Sequence, residues 1–454
     1  MKNMTLAQIA KACNGQLVID NSSLEKEVSG VVIDSRLIAP DHLFIATVGE
    51  RVDGHDYIAS AHSKGAAAVV CEKVPVDCNI PYILVENSFV ALKQIAAWYR
   101  NQLSIKVVGI TGSVGKTSTK EFISSVLSQK YQVLKTEGNF NNEIGLPLTI
   151  LKIRDHHEVA VLEMGISDFG EMHRLSEIAR PDICVLTNIG QCHLENLGSR
   201  EGILKAKSEI FDFMKEEGFV CLNGDDDMLV TIHEVKGNKP VRFGFGEQND
   251  VMATDLITHG LFGSTCNIWV KGKSFLATVP QPGEHMVLNA LAATSVGALL
   301  GLTCEEIAAG ISMVKALGGR SNIIRQENCT IIDDCYNANP VSMKSALDLL
   351  NIADTRKVAI LGDMFELGVN EAKLHGEVGA YATEKGIDVL ICVGNLSYHM
   401  YQAAAEHKKE NLHYYKTREE LISFLPELIK RDDTILIKAS HGMGFESIVK
   451  ALQS

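Results

Sequence analysis

The run TGSVGKT at 111–117 holds the residue types a phosphate cradle needs: glycines at 112 and 115, Lys116, and the hydroxyl of Thr117. Gly112 and Gly115 permit backbone conformations that turn amide hydrogens inward, Lys116 supplies a cation for terminal phosphates, and Thr117 can ligate magnesium where a helix begins. Five residues separate Gly109 from Gly115 where the usual pattern has four, so the working core is T-G-x-x-G-K-T: Thr111, Gly112, Ser113, Val114, Gly115, Lys116 and Thr117. Nucleotide binding follows, and a bound triphosphate needs Mg2+ and a carboxylate. Glu163 closes the apolar run VAVLEM, where an acidic side chain can reach the metal. His193 follows another strand end; by residue type alone it reads as a structural or surface histidine. Lys207, in KAKSEIF, reads by itself as part of an exposed helix face.

The elements that must position these groups fall into three blocks, 1–103, 104–317 and 318–454. In the first, the strand candidates VVIDS, LFIAT, AAVVCE and YILVEN precede the long helix SFVALKQIAAWYRNQL, and the break falls near Leu103 and Ser104. In the second, KVVGI, YQVLKT, EVAVLEM, ICVLTN and FVCLN alternate with helical stretches, the rhythm of a parallel sheet flanked by helices. The hinge LGGR, 317–320, leads to a third block in which TIIDDC, KVAILG, VLICVG and TILIKAS resemble a Rossmann-like half without its glycine fingerprint. The fold class is α/β, and Thr5 and the pair Thr303 and Glu306 are expected to cap helices.

Composition narrows the function further. The 454 residues carry 43 basic and 56 acidic side chains, a formal charge of −13 that repels nucleic acid and anionic membranes. Eleven cysteines without a C-x-x-C spacing point to a reducing compartment. The N-terminus lacks the pattern of a signal peptide. LNALAATSVGALLGL, 288–302, is shorter than the roughly 20 residues a bilayer demands. A buried helix in a cytoplasmic monomer is expected.

TGSVGKTSTKE, EGNFNNEIGLPLT, LEMG, TNIGQCHLENLGSREGILKAKSEI, GEHMVLNALAA, GGR and DDCYNANPVSM resemble, in order and spacing, the Mur ligase family of ATP-dependent amide-forming enzymes of bacterial wall synthesis. The resemblance implies three domains: a UDP-substrate domain, a central P-loop ATPase domain and a Rossmann-like C-terminal domain that closes on ATP. Ile33 to Ala66 resembles the uridine-nucleotide domain of later-acting members, carrying Ser35 and Arg36 to the UDP group. DDCYNANPVSM and GDMFELG resemble members that join D-alanyl-D-alanine to UDP-N-acetylmuramoyl-tripeptide.

The same resemblance gives roles to further residues. Lys207 matches a lysine carbamylated by CO2, with Glu163 and His193 ligating one Mg2+, Thr117 helping at the ATP-bound metal, and the carbamate organising a second site. Asn289 matches an adenine contact, and Arg320 and Asp334 phosphate and ribose contacts; by residue type alone, Asn289 caps a buried network and Asp334 begins a turn. Asn139 and Asn142 are assigned to the muramoyl-peptide side, and Asp363, Glu366 and Lys438 to the dipeptide. His441 stands where many members have arginine. Two other readings are a Mur-type ligase with another acceptor, such as a folylpolyglutamate synthase, and a nucleotide switch. The uridine-type first block weighs against the former and the lack of an N-K-x-D run against the latter.

Overall fold

The computed structural model describes residues 1, 4–19, 25–50, 52–76, 79–315, 319, 322–407 and 410–453. Three sheets succeed one another along the chain. The first has five strands in the order Gln16–Val18, Tyr82–Leu84, Ala68–Cys71, His42–Ile45 and Gly30–Val32, parallel except for the first pair. Thr5 caps helix Leu6–Ala12 through a reciprocal capping box with Gln8, satisfying two amides that the helix start leaves open.

Helix Ser88–Asn101, capped by Asn87, ties the first sheet to the second. Its Tyr99 hydroxyl donates to the Ile153 carbonyl at 2.7 Å, and Arg100 donates to the Ala179 carbonyl at 2.8 Å and to Asp182 at 3.3 Å. Arg100 is 2% exposed, so its guanidinium survives burial only because these acceptors receive it. A single apolar core runs from Leu6 and Ile9 through Leu92 and Ile95 to Leu162 and Leu186. Core packing is therefore continuous across the break expected near Leu103.

The second sheet has nine strands. At its centre Lys106–Thr111 lies between Val159–Glu163 and Ile183–Leu186, all parallel, with Phe219–Asn223 next outward from the latter. The parallel pairing continues through Val241–Gly244 to Val251–Thr258. Beyond it, strands Ser264–Val270 and Lys273–Val279 add an antiparallel extension that the sequence did not announce. Helix Glu284–Leu299 is buried nearly all round, and its Thr294 and Ser295 hydroxyls donate to the carbonyls of Ala290 and Leu291. Polar atoms in an apolar helix are thus satisfied locally. Among the described residues no helix is long and apolar enough to cross a membrane. Thr303 and Glu306 form the expected capping box on helix Cys304–Ser312.

The third sheet has six strands in the order Asn322–Arg325, Cys329–Asp333, Asp433–Lys438, Lys357–Gly362, Val389–Val393 and Leu412–Tyr415, all parallel except the first pair. Its four expected strands are present; the antiparallel edge Asn322–Arg325 and strand Leu412–Tyr415 are additions. Of the hinge, 317, 318 and Arg320 lie outside the described residues.

Candidate active site

The central strand Lys106–Thr111 delivers the chain to a turn and then to helix Lys116–Leu127. Gly112 has φ 149°, and a Cβ there would lie 1.9 Å from Thr187 Oγ1, so only glycine fits. Gly115, at φ 84°, starts the helix. The amides of Ser113 and Val114 donate to the backbone and side-chain oxygens of Asn188 at 3.0 and 2.9 Å. These two residues shape the loop rather than offer amides to a phosphate. The first intrahelical bond runs from the Thr119 amide to the Gly115 carbonyl at 2.8 Å. The amides of 115–118 therefore have no partner one turn back, which leaves them as the anion donors. Lys116 Nζ donates to the Gly112 carbonyl at 2.9 Å, directly over the turn. The Thr111 hydroxyl is buried beneath the loop without a hydrogen-bond partner.

Glu163 ends the neighbouring strand and is 2% exposed. Its Oε2 accepts from the Thr117 hydroxyl at 2.8 Å and its Oε1 from Asn141 Nδ2 at 2.9 Å. The Lys120 ammonium, itself 2% exposed, lies 4.0 Å away. Thr117 and Glu163 make a pair of hard oxygen donors beside the loop. That chemistry fits Mg2+, which takes one or two protein oxygens and completes its shell with phosphate oxygens and water.

His193 and Lys207 stand near the loop in a different charge environment. Lys207 is 1% exposed, and burial, with the Lys116 ammonium second, pulls its amine from 10.5 to about 8. His193 is held below the ordinary imidazole range by burial and then by Lys207 and Lys116. Its backbone is left-handed, at φ 51°, and Nδ1 lies 3.4 Å from Glu366 Oε2 of the third domain. Among the described residues no group of three or more His, Cys, Asp and Glu gathers as a metal cage. Glu163 and His193 line the same cleft, Glu163 held by Thr117 and Asn141 and His193 beside Glu366.

A cleft of about 980 Å³ separates the loop from the third domain, with Asp334, Tyr336, Asn337, Glu366 and Lys438 on its far wall. Lys438 Nζ donates to Asp334 Oδ2 at 2.6 Å and to the Asn337 carbonyl at 2.9 Å. The ribose and dipeptide roles expected of these two residues meet in one ion pair. Asn289, also on the cleft, accepts from the Thr119 hydroxyl at 2.8 Å. Asn139 and Asn142 line the same space, and Asn142 Oδ1 accepts from the Gly145 amide at 2.9 Å where helix Gly145–Ile150 begins.

Asp363 Oδ1 accepts from the amide and hydroxyl of Ser397 at 2.7 and 2.6 Å, at the start of helix Ser397–Ala405, and Asp363 is not among the residues that line the cleft. Ser35 and Arg36 lie on the first domain, where Arg36 donates from Nε to Asp34 Oδ1 and from Nη2 to its Oδ2. Arg320 lies outside the described residues. His441 pairs with Glu446 at 3.2 Å and tilts against Tyr336, with ring centres 5.3 Å apart.

Three family models cover most of the chain: the Mur ligase family catalytic domain over 27–102, the Mur ligase middle domain over 110–297, and the Mur ligase glutamate ligase domain over 319–441. The chain belongs to the Mur ligase family. The UDP-N-acetylmuramoyl-tripeptide--D-alanyl-D-alanine ligase of Bacillus subtilis (strain 168) is 39% identical, the alignment covering 100% of this chain and 99% of that protein. MurF from Acinetobacter baumannii superposes with a TM-score of 0.91 at 32% identity, covering 99% of this chain and 98% of that one. The MurF ligase of Thermotoga maritima, solved in complex with ADP, gives a TM-score of 0.82 at 30% identity over 93% and 97% of the two chains.

In this Mur ligase the cleft also uses residues that the sequence left unmarked. Asn141 grips Glu163, and Asn188 holds the loop amides. Lys120 is a buried counter-charge that ion-pairs with Glu121 at 3.2 Å. The signal for Lys120 was its position one helical turn after Lys116, on the same face. Nothing in GNFNNE distinguishes Asn141 from its neighbours.

Proposed function

We infer that this chain joins D-alanyl-D-alanine to UDP-N-acetylmuramoyl-tripeptide at the expense of ATP, giving the UDP-linked pentapeptide. The observation that carries the reading is the full-length 39% identity to a ligase of that name, held together with a phosphate loop and a buried carboxylate across a cleft from a third domain. The tripeptide carboxylate attacks the γ-phosphorus of ATP, ADP leaves with the electron pair, and an acyl phosphate forms. The dipeptide amine then attacks the acyl carbon, loses a proton, and phosphate departs from the tetrahedral intermediate.

The 115–118 amides and Lys116 receive the phosphate oxygens, and their fixed geometry stabilises charge that gathers in both steps. Thr117 and Glu163 would hold Mg2+, which supplies charge neutralisation at the phosphates when bound. Asn141 orients the Glu163 carboxylate for that role. Asn289, Arg320 and Asp334 are assigned to the nucleotide, Ser35, Arg36, Asn139 and Asn142 to the UDP-peptide, and Asp363, Glu366 and Lys438 to the dipeptide side. His193 and a carbamylated Lys207 are assigned to a second metal. Burial of Lys207 beside Lys116 supports the carbamate, because it favours the neutral amine that CO2 requires and turns a repulsive neighbour into an attractive one. Domain divisions at 1–103, 104–317 and 318–454, a monomer and a cytoplasmic location belong to the same reading. Its test is phosphate release from ATP, expected only when both the UDP-tripeptide and the dipeptide are present; release with either omitted contradicts it.

A further inference from the structure

The antiparallel extension of the central sheet ends in a hairpin at 259–263 that reaches the third domain. Leu261 packs against the third domain's core, which includes Ile332, Leu347 and Leu350. The Phe262 ring lies 3.9 Å from the Arg325 guanidinium carbon, on the edge strand Asn322–Arg325. A Cβ at Gly260 would come within 4.0 Å of Ile352 Cγ2. The tip is stiff on its own side. The His259 amide donates to the Gly263 carbonyl at 2.8 Å, and a Cβ on Gly263 would sit 2.0 Å from the Val279 carbonyl oxygen.

The covalent connection enters the third domain at the same edge. Gly319 donates its amide to Asp333 Oδ2 at 2.8 Å, and its carbonyl accepts from the Tyr336 amide at 3.0 Å. This residue therefore moves with the third domain. Edge strand Asn322–Arg325 begins within a few residues, so chain connection and hairpin contact share one margin of the sheet.

A second interdomain contact lies elsewhere. Glu366 and Gly368 come after strand Lys357–Gly362, three strand spacings from the edge in the order of the sheet, about 14 Å away. There Glu366 meets His193 at 3.4 Å, and a Cβ at Gly368 would lie 3.8 Å from the Glu195 Cβ. Glu366 and His193 both hold left-handed backbones, at φ 62° and 51°. Residues held in such conformations concentrate where a contact matters to function. The cleft lies between the central and third domains, which these two contacts also join.

We propose that the 259–263 hairpin is the bearing on which the third domain turns, with Leu261 and Phe262 as positioning residues, while the 193–195/366–368 contact is the lip that opens. An apolar knob in a core and a planar cation over a ring tolerate rotation. A long side-chain contact whose glutamate is exposed to solvent is cheap to break. The inference rests on the ligase reading only in needing substrates to enter and leave between the domains.

The test uses two cysteine pairs in the full-length protein. Glu195→Cys with Gly368→Cys places the two Cβ atoms at the separation usual for a disulfide. Oxidised, it should cut turnover at least tenfold, with recovery on reduction. Gly260→Cys with Ile352→Cys, oxidised, should stay within twofold of its reduced form. Small-angle scattering reads the motion apart from ligation: the lip-locked protein should keep a fixed radius of gyration when ADP is added, and the hairpin-locked one should respond as the unmodified protein does. Phe262→Ala should lower kcat several-fold while the dissociation constant for ADP stays within twofold; a merely structural contact would lower the melting temperature and leave kcat per folded molecule unchanged. A hairpin crosslink that freezes the domains, a lip crosslink that leaves turnover intact, or failure of either pair to oxidise overturns the proposal. Loss of ligation in every reduced form, with the scattering contrast intact, would tell against the ligase reading instead.

Discussion

Thr117 and Glu163 are 46 residues apart in the chain, yet the threonine hydroxyl donates to Glu163 Oε2 at 2.8 Å. Two parallel strands, Lys106–Thr111 and Val159–Glu163, bring them together, because adjacent parallel strands end at one edge of the sheet and set their C-terminal residues and loops side by side. The phosphate loop and its carboxylate are thus fixed by strand register before any substrate binds.

Removing either partner should cost turnover without unfolding the protein. Glu163→Gln keeps the shape and the Asn141 side of the contact but loses the charge, and kcat should fall about 10²–10³-fold. Thr117→Val should leave Oε2 with one donor fewer and cost about 1–3 kcal/mol of stability, read by chemical denaturation. Full activity in Glu163→Gln would remove the carboxylate from the mechanism.

Lys207 carries a pH signature. Its amine is lowered from 10.5 to about 8, so between those values the unfolded chain still holds a proton that the folded chain has lost. Stability should therefore rise with pH across that window, and the penalty of a buried cation should be fully present below about pH 8. In CO2-free buffer Lys207→Met should abolish this rise in thermal melts. With labelled bicarbonate the wild type should show a carbamate carbon signal that Lys207→Met lacks, and the activity of Lys207→Ala should be partly restored by short carboxylates.

Lys438 and Asp334 test the far wall. Their charged groups are 3% and 13% exposed, so Lys438→Met strands a carboxylate in a poorly solvated place. A loss of about 3–5 kcal/mol is expected for the third domain, measured by calorimetry, together with loss of turnover. A change below about 1 kcal/mol would show that the pair is solvated in solution.

Arg36 stands apart from the cleft on the first domain, its side chain 85% exposed and forked onto Asp34. A guanidinium matches diphosphate as well as carboxylate geometry, which is the ground for assigning Arg36 to the UDP group. Arg36→Ala should raise KM for the UDP-peptide about tenfold and leave KM for ATP unchanged. An equal effect on both would take Arg36 out of the UDP site.

Several of these relationships were legible in the chain. The phosphate loop, Glu163 at a strand end and the capping boxes of Thr5 and Thr303 rest on local rules of spacing and hydrogen bonding, and the structure has them. The outer strands Val251–Thr258 and Lys273–Val279 were not legible. Their solvent faces interrupt the continuous apolar run by which buried parallel strands are recognised, and Leu276 stands 66% exposed. The contact of Asp363 with Ser397 was hidden for a related reason. An acidic residue after a buried strand reads equally as a ligand group or as a helix cap, and only the tertiary position of Ser397 reveals the second. Lys120 was hidden because a lysine in a helix is ordinarily solvated, and its burial depends on Glu163 reaching it from the neighbouring strand beside the adjacent Glu121.

The most direct test of the account tracks one oxygen atom. UDP-tripeptide labelled with ¹⁸O in both oxygens of its terminal carboxylate is incubated with ATP, Mg2+, D-alanyl-D-alanine and the enzyme, and the products are read by mass spectrometry. An acyl phosphate requires one ¹⁸O in the released phosphate and one in the new amide of the pentapeptide. Unlabelled phosphate, label in a nucleotide monophosphate, or no pentapeptide would contradict it.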